Sequence, residues 1–262
     1  MSTSATVFDS AIAQWRKEQT FPWFKLKYKL CHANLVKHLP LDRPLQILDV
    51  GGGNGVESIP FAEAGHQVDL VDYSQEMLGD ARQQIEAKGL QERARLHHAD
   101  LLHLSTLFAP ASFDLLLCHN VLSYVDEVPT RLGEMAALLK PGGLASFVNV
   151  NRYSRAYSTA FLRNDLEGAL TEIGQRTFNT IVFKSTMTLY SAEEFSEMLT
   201  AHGLQIAQDY GVLCMYVYWG DNERKYDPVI HGQLEKLEFE LTDKYPYKLL
   251  ASYYQVIAGR DG

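Results

Sequence analysis

Cysteine is scarce in this chain, and its cysteines do not form a metal or disulfide pattern. Only three occur among 262 residues, Cys31, Cys118 and Cys214, and none is part of a CxxC pair. Of the nine histidines, His97 and His98 are adjacent, so on a strand they would point to opposite faces and could not chelate one ion together. We therefore expect a reducing compartment and no bound metal.

Long apolar runs and an excess of positive charge are also missing. No stretch approaches the roughly 18 uninterrupted apolar residues of a membrane span, and the first residues lack the basic and apolar regions of a secretory signal. The net charge of −8 argues against binding of nucleic acid through an overall positive charge, so any such binding would need a local basic patch. These absences predict a soluble, cytoplasmic protein with no membrane partner.

The chain does contain a regular alternation of short apolar runs and helix-like segments. The runs lie at 46–50, 67–71, 95–98, 113–118 and 144–150. This alternation is typical of an α/β fold with a doubly wound parallel sheet. Two helices precede it, and they are interrupted near Phe21-Pro22-Trp23.

We expect one domain over residues 1–262. It divides into N-terminal helices (1–43), a ligand-binding core (44–150), a polar and aromatic insertion with helical and extended parts (151–190) and the end of the sheet (191–262). Within it, Ser74 and Ser191 are expected to cap helices. Strands at 204–218 and 252–258, on either side of a charged helix near 229–242, would complete the sheet as an antiparallel pair.

The first strand of the core leads into a turn dense in glycine. Asp49 and Val50 are followed by Gly51-Gly52-Gly53-Asn54-Gly55. Glycine at such a turn lets a ligand lie directly on main-chain N–H groups. The third glycine of this G-x-G-x-G series falls one residue earlier than in the GxGxxG of dinucleotide enzymes, which argues against NAD.

Acidic residues end the second and third strands. Asp72, followed by Tyr73, stands where a carboxylate can accept both ribose hydroxyls of an adenosine, although acidic strand ends are common. Asp100, followed by Leu101, can accept an adenine amine or simply cap the next helix. Two further pieces are the polar end of strand four at His119-Asn120 and the turn Lys140-Pro141-Gly142-Gly143.

With these pieces in this order, residues 45–150 resemble the class I S-adenosylmethionine-dependent methyltransferases, which have a Rossmann-like seven-stranded sheet. A closer resemblance, to the bacterial tRNA 5-carboxymethoxyuridine methyltransferases, covers most of the chain. It rests on the glycine loop, on Leu26-Lys27-Tyr28, on His119 and Asn151, and on the closing run 253–258. An arginine of that family contacts the cofactor's carboxylate, and Lys27 stands in its place, keeping the charge without the bidentate fork.

The resemblance implies S-adenosylmethionine as cofactor and a set of residues that bind it: Lys27, Asp49, Gly51, Gly52, Gly53, Asp72, Tyr73, Met77, Asp100, Leu101 and His119. In this set Asp49 steadies the glycine loop, Asp72 holds the ribose, and Asp100 with Leu101 frames the adenine. For His119 the residues alone also allow a proton acceptor for a hydroxyl substrate or a plain polar strand end.

The acceptor of the methyl group is less well indicated by the sequence. The run after strand four lacks an Asn-Pro-Pro-Tyr-like motif, which disfavours amine methylation, whereas a carboxylate acceptor needs nearby cations and no general base. Candidate substrate-binding residues are Asn151, Arg152, Arg155, Tyr157 and Arg224. The primary hypothesis is methylation of a carboxylate on a modified wobble uridine of tRNA, the alternative is a small anionic metabolite, and a non-catalytic module that only binds the cofactor is a third reading.

Overall fold

A computed structural model describes residues 5–40, 42–180 and 185–261. Its helices are α1 (Ala5–Gln19), α2 (Pro22–Val36), α3 (Ile59–Glu63), α4 (Gln75–Ala87), α5 (Leu104–Leu107), α6 (Val128–Leu138), α7 (Ser154–Arg163), α8 (Leu166–Glu172), α9 (Ala192–Ala201) and α10 (Pro228–Leu241). Its strands are β1 (Gln46–Val50), β2 (Gln67–Asp72), β3 (Ala94–His98), β4 (Phe113–His119), β5 (Leu139–Val150), β6 (Thr177–Asn179), β7 (Thr186–Thr188), β8 (Leu204–Val212) and β9 (Tyr253–Arg260).

In the described residues, seven strands form one sheet in the order β3-β2-β1-β4-β5-β9-β8. Strands β1 to β5 pair in parallel, and β9 runs antiparallel to both β5 and β8. The strand order reverses between β1 and β4, so the crevice above their carboxyl ends is where open α/β sheets bind ligands. The predicted class I methyltransferase fold is confirmed.

Burial on both faces explains why the central strands read as continuous apolar runs. Along β4, Leu115 and Leu117 pack into one core cluster, whereas Leu116 and Cys118 pack into another on the opposite face. Side chains alternate along a strand, so a strand covered by helices on both faces is apolar at most of its positions.

The predicted helix caps are present. The Ser74 side chain accepts the Met77 N–H at 3.3 Å at the start of α4. Ser191 and Glu194 form a reciprocal capping box at the start of α9. Both helices therefore begin where a side-chain oxygen satisfies a backbone donor of the first turn.

The strand predicted at 204–218 is too long, because β8 ends at Val212. Leu213 adopts a left-handed conformation with φ of 60°, and the next three backbone N–H groups leave the sheet. The buried Glu238 carboxylate accepts them from Cys214, Met215 and Tyr216 at 2.6, 2.7 and 2.6 Å. A carboxylate from a distant helix has replaced the sheet partner of this segment.

The other boundaries shift less. Strand β5 begins at Leu139, before the turn at 141–143, with a register shift against β4. The insertion forms two helices, separated where Asn164 adopts φ of 53°, followed by the β6–β7 hairpin. The extended arm predicted at 180–189 falls partly on that hairpin, and its residues 181–184 lie outside the described chain.

Candidate functional site

A cavity of about 610 Å³ lies above the carboxyl ends of the parallel strands, and we call it the larger cavity. Its size is ordinary for a small-molecule cofactor site. Ten of the eleven residues predicted to bind the cofactor line it: Lys27, Gly51, Gly52, Gly53, Asp72, Tyr73, Met77, Asp100, Leu101 and His119. The topology therefore brings residues from α2 and from four successive strand ends to one place.

The glycine loop forms part of the cavity wall through its lack of side chains. Gly51 and Gly53 have φ of 69° and 55°, and a Cβ on Gly53 would lie 2.8 Å from Met77 Cε. A Cβ on Gly51 would overlap Val121 Cγ2. Glycine is needed here both for the left-handed backbone and for the space.

The N–H groups of the first three glycines of this loop already have partners within the protein. The N–H groups of Gly51 and Gly52 both donate to Val71 O, at 2.8 and 3.2 Å, and that of Gly53 donates to Asp72 Oδ2 at 2.8 Å. These donors are used to join the loop to β2. The loop therefore offers a ligand close approach rather than a row of main-chain donors.

Asp49 is the one predicted cofactor residue that does not line the cavity. Its side chain is 2% exposed and lies beneath the loop, where a Cβ on Gly52 would overlap its Oδ2. Burial raises the pKa of the Asp49 carboxyl to about 7. Its position agrees with the predicted support of the glycine loop from below.

Asp72 joins the loop to the start of α4. Its Oδ2 accepts the Gly53 N–H and its Oδ1 accepts the Ser74 N–H, each at 2.8 Å. Burial raises the pKa of this carboxyl, and its hydrogen bonds from Ser74 and Gly53 oppose that shift. Each carboxylate oxygen has a second acceptor site, so Asp72 can also take two ligand hydroxyls.

Asp100 performs the simpler of its two predicted roles. Its Oδ1 accepts the Leu102 N–H at 3.0 Å and caps a short 3-10 turn after β3. The residue also lines the larger cavity. Contact with an adenine amine remains a prediction that this capping bond does not prevent, because a carboxylate has further acceptor sites.

Lys27 lies in a cage of aromatic rings. Its side chain is 4% exposed, and Nζ lies 5.1, 4.5 and 5.2 Å from the ring centres of Phe24, Tyr28 and Tyr253. In the described chain it forms no ion pair with a carboxylate. The ammonium group is thus stabilised by ring faces and remains available to an anion.

His119 has hydrogen bonds at both ring nitrogens. Nδ1 lies 2.7 Å from Glu57 Oε1, and Nε2 lies 2.9 Å from Ser146 Oγ. Both partners are protein groups, so His119 would have to break one of these bonds to take a proton from a substrate. This geometry does not favour the proton-acceptor reading.

A second cavity of about 280 Å³, the smaller cavity, adjoins the first beneath the insertion. Both cavities share Phe24, Lys27, Val150, Met187 and Tyr253 in their walls. The remaining residues of its wall are Trp23, Ser154, Arg155, Ser158, Leu162, Arg163, Phe178, Leu213, Val217 and Ser252. The wall of this cavity therefore contains three cationic side chains and no carboxylate in the described chain.

Of the five predicted substrate-binding residues, only Arg155 lines either of these two cavities of the described chain. Its guanidinium lies 3.6 Å from the ring centre of Phe178 and donates to Glu172 at 3.2 Å, and its buried Nε has no partner in the described residues. Arg152 instead pairs with Glu194 at 3.0 Å. Of the predicted arginines, Arg155 is thus the one whose side chain lines the smaller cavity, and its contact with an acceptor stays a prediction.

The other three lie outside both cavity walls. The Asn151 amide donates to the carbonyls of Leu249 and Ala251, each at 2.9 Å, and joins the end of β5 to the segment before β9. Tyr157 is exposed and packs near Tyr218. Arg224 is exposed on a 3-10 turn above the Trp219 ring.

The comparisons with known proteins agree with this geometry. A family model described as a methyltransferase domain matches residues 47–143, from β1 into β5. The tRNA 5-carboxymethoxyuridine methyltransferase of Escherichia coli K12 is 29% identical over 217 residues, 82% of this chain and 79% of that protein. The ubiquinone biosynthesis O-methyltransferase of Azoarcus sp. BH72 is 30% identical over 159 residues, 61% of this chain and 67% of that protein.

The chain belongs to the class I S-adenosylmethionine-dependent methyltransferases. Solved structures support the fold of this methyltransferase. A methyltransferase from Thermotoga maritima described as a possible histamine N-methyltransferase has a TM-score of 0.66 at 16% identity, covering 98% of this chain and 99% of that one. The 1,6-didemethyltoxoflavin-N1-methyltransferase of Burkholderia thailandensis has a TM-score of 0.62 at 20% identity, covering 98% and 87%.

S-adenosylmethionine is the cofactor of this methyltransferase, and the larger cavity fits it. The wall carries six carboxylates (Glu18, Glu57, Asp72, Asp100, Asp126 and Glu127) against two cations, Lys27 and Arg131. A sulfonium ligand with an ammonium group is stabilised by such an excess of negative charge. The two carboxylate oxygens of Asp72, each with a further acceptor site, suit the two hydroxyls of a ribose.

Several wall residues could not be found by motif. Glu57 follows the glycine loop without any family signature, and Trp23, Arg163 and Phe178 reach the smaller cavity from separate segments. Among these residues, Trp23 alone had a signal in the sequence, because it follows the proline that interrupts the N-terminal helices. The described residues contain no cluster of three metal-ligating side chains, and none of their helices meets the length and apolarity of a membrane span.

Proposed function

We propose that this methyltransferase acts on a carboxylate group of a modified wobble uridine in tRNA. The observation that carries the proposal is the contrast between the two cavities. The larger cavity is rich in carboxylates, whereas the wall of the smaller cavity has Lys27, Arg155 and Arg163 and no acidic residue in the described chain. A cationic cofactor would be stabilised in the larger cavity and an anionic acceptor in the smaller cavity, and Lys27 lies in the wall that the two share.

The chemistry required of the protein is mainly alignment. When bound, S-adenosylmethionine supplies an electrophilic methyl group on a sulfonium sulfur. A carboxylate acceptor is already ionised at neutral pH, so the protein needs no general base and His119 can keep both of its hydrogen bonds. Arg155, clamped between Phe178 and Glu172, would orient the acceptor, and the rings of the wall would stack on its base.

A second candidate function is methylation of a small anionic metabolite. Three observations favour it over tRNA. Arg152 and Arg176 both pair with Glu194, which neutralises part of the positive charge near the insertion. One of the relatives, 30% identical over 159 residues, is a ubiquinone biosynthesis O-methyltransferase. The cavity of about 280 Å³ is of a size that takes a compact ligand.

A labelled-methyl assay separates these functions. The protein is incubated with labelled cofactor and either total tRNA that carries the carboxylate-bearing uridine without its methyl ester or a metabolite extract. Label in tRNA that is released by mild alkali, as an ester is, supports the first proposal, and label only in the extract supports the second. Binding of cofactor with transfer to neither pool would support a non-catalytic module. For tRNA, affinity should fall as salt rises, because phosphate contacts release counterions.

Arg155→Lys tests the anion site directly. Lysine keeps the charge but loses the planar fork, so we expect the KM for the acceptor to rise about tenfold with a smaller change in kcat. Arg176→Lys is the matched control, because Arg176 is exposed and pairs with Glu194 outside both cavities. Equal KM values for the two variants would contradict a role for Arg155 in acceptor binding.

A further inference from the structure

Glu57 is one of the acidic residues of the larger cavity, and its carboxylate is held in a defined orientation. It follows the glycine loop and lines the larger cavity beside the end of β4. Its Oε1 is bonded to His119 Nδ1 at 2.7 Å. An ionised carboxylate only accepts hydrogen bonds, so His119 must carry a proton on Nδ1 to join them.

A buried chain of hydrogen bonds holds this pair in place. Beyond His119, Ser146 Oγ lies 2.9 Å from Nε2 and also accepts from Gln255 Nε2 at 3.0 Å. Gln255 Nε2 also donates to the Cys31 carbonyl at 3.0 Å. Strands β4, β5 and β9 and helix α2 thus all contribute to the orientation of one carboxylate, an arrangement typical of a preorganised ligand group.

The Glu57 carboxylate is kept ionised although it lies in a buried setting. Burial acts to raise its pKa, but the charge of His119, the hydrogen bond from His119 and the charge of Lys27 outweigh that effect and lower it. Its second oxygen, Oε2, has no hydrogen-bond partner among the described residues. The carboxylate therefore retains acceptor capacity toward a cation in the cavity.

Lys27 and Glu57 together present opposite charges to the larger cavity. Both line it, yet they form no ion pair with each other in the described chain. A zwitterion can place its negative group at Lys27 and its positive group at Glu57. The amino-acid end of S-adenosylmethionine carries such a pair of groups, an α-carboxylate and an α-ammonium.

The strand order indicates which end of the cofactor reaches Glu57. Asp72 and Asp100 end β2 and β3, which lie on one side of β1, whereas His119 ends β4 on the other side. If the acidic strand ends hold the adenosine, the amino-acid end extends toward β4. We propose that Glu57, positioned by His119, binds the α-ammonium group of S-adenosylmethionine.

The test measures binding and needs no acceptor, so its outcome is independent of whether tRNA is the substrate. Calorimetry gives the Kd of S-adenosylhomocysteine and of its analogue lacking the amino group, for wild type and Glu57→Gln. Wild type should prefer the intact ligand about 10- to 100-fold, as expected for a hydrogen bond between charged groups. Glu57→Gln should lose most of this preference while binding the deaminated analogue as wild type does.

Glu63→Gln is the matched control, because Glu63 lies on the surface and pairs with Lys88. It should retain the full preference, and circular dichroism should show that all variants are folded. Two results would overturn the proposal: a Glu57→Gln variant that still discriminates between the ligands as wild type does, or one that loses affinity for both equally. The second result would mean that Glu57 only supports the shape of the cavity.

Discussion

The buried carboxyl of Asp49 leads to a prediction about how stability depends on pH. Asp49 lies on β1 beneath Gly52, and burial raises its pKa from the ordinary 3.8 to about 7. Its Oδ2 has no hydrogen-bond partner in the described residues. Folding therefore favours the protonated form, and ionising this group destabilises the folded state.

The sign and size of the effect follow from the two pKa values. Below about pH 3 the group is protonated in both states and has no effect, and above about pH 8 the full penalty applies. Between pH 5 and pH 8 the free energy of unfolding should fall by about 2.5 kcal/mol from this group alone. Asp49→Asn removes the titration, so the variant should gain that amount relative to wild type over the same interval.

Urea unfolding of the cofactor-free protein, followed by tryptophan fluorescence at several pH values, measures this difference. Wild type and Asp49→Asn can differ in their free energy of unfolding by a constant amount, because the new amide changes local hydrogen bonding at every pH. The prediction is tested by how this difference in the free energy of unfolding changes with pH. Glu240→Gln, at an exposed position on α10, controls for the loss of any carboxylate. Parallel curves for wild type and Asp49→Asn would show that the reasoning is wrong.

Two further predictions concern the glycine loop and its partner strand. Asp72→Ala removes the acceptor of the Gly53 N–H and the proposed ribose ligand, so the cofactor Kd measured by calorimetry should rise about 30-fold or more, whereas exposed Glu86→Ala should leave it unchanged. Gly51→Ala places a methyl group against Val121 at a left-handed φ, which should lower the free energy of unfolding by about 1–3 kcal/mol. The double variant with Val121→Ala should recover part of that loss, and an unchanged Gly51→Ala protein would refute the steric argument.

The parallel half of the fold could be predicted because its signals are local. The core strands are short and largely apolar runs that end at a turn or polar residue, as at Asp72 and His119, and their alternation with helices indicates a parallel sheet. The end of β8 could not be predicted in this way. It depends on Glu238, which lies more than twenty residues further along the chain and takes the backbone donors of the 214–216 segment.

The candidate site likewise has a part that local sequence signals predict and a part that depends on contacts distant in the chain. Glycines and acidic strand ends identify the larger cavity, because their roles depend on backbone positions that the motif spacing defines. The arginines of the insertion were predicted as anion ligands without knowledge of their partners. Glu194, some forty residues from Arg152, pairs with it away from both cavities, whereas Arg155 lines the smaller cavity. Only the folded chain distinguishes them.

The walls of the two cavities come from largely separate parts of the chain, and this separation bears on how such enzymes diverge. The glycine loop and strand ends that form the larger cavity fall mostly within the stretch matched by the family model, which stops at residue 143. Much of the wall of the smaller cavity comes from residues 150–187. If the smaller cavity binds the acceptor, as proposed above, mutation of that one contiguous segment can redirect the enzyme to a new acceptor while the methyl donor is retained.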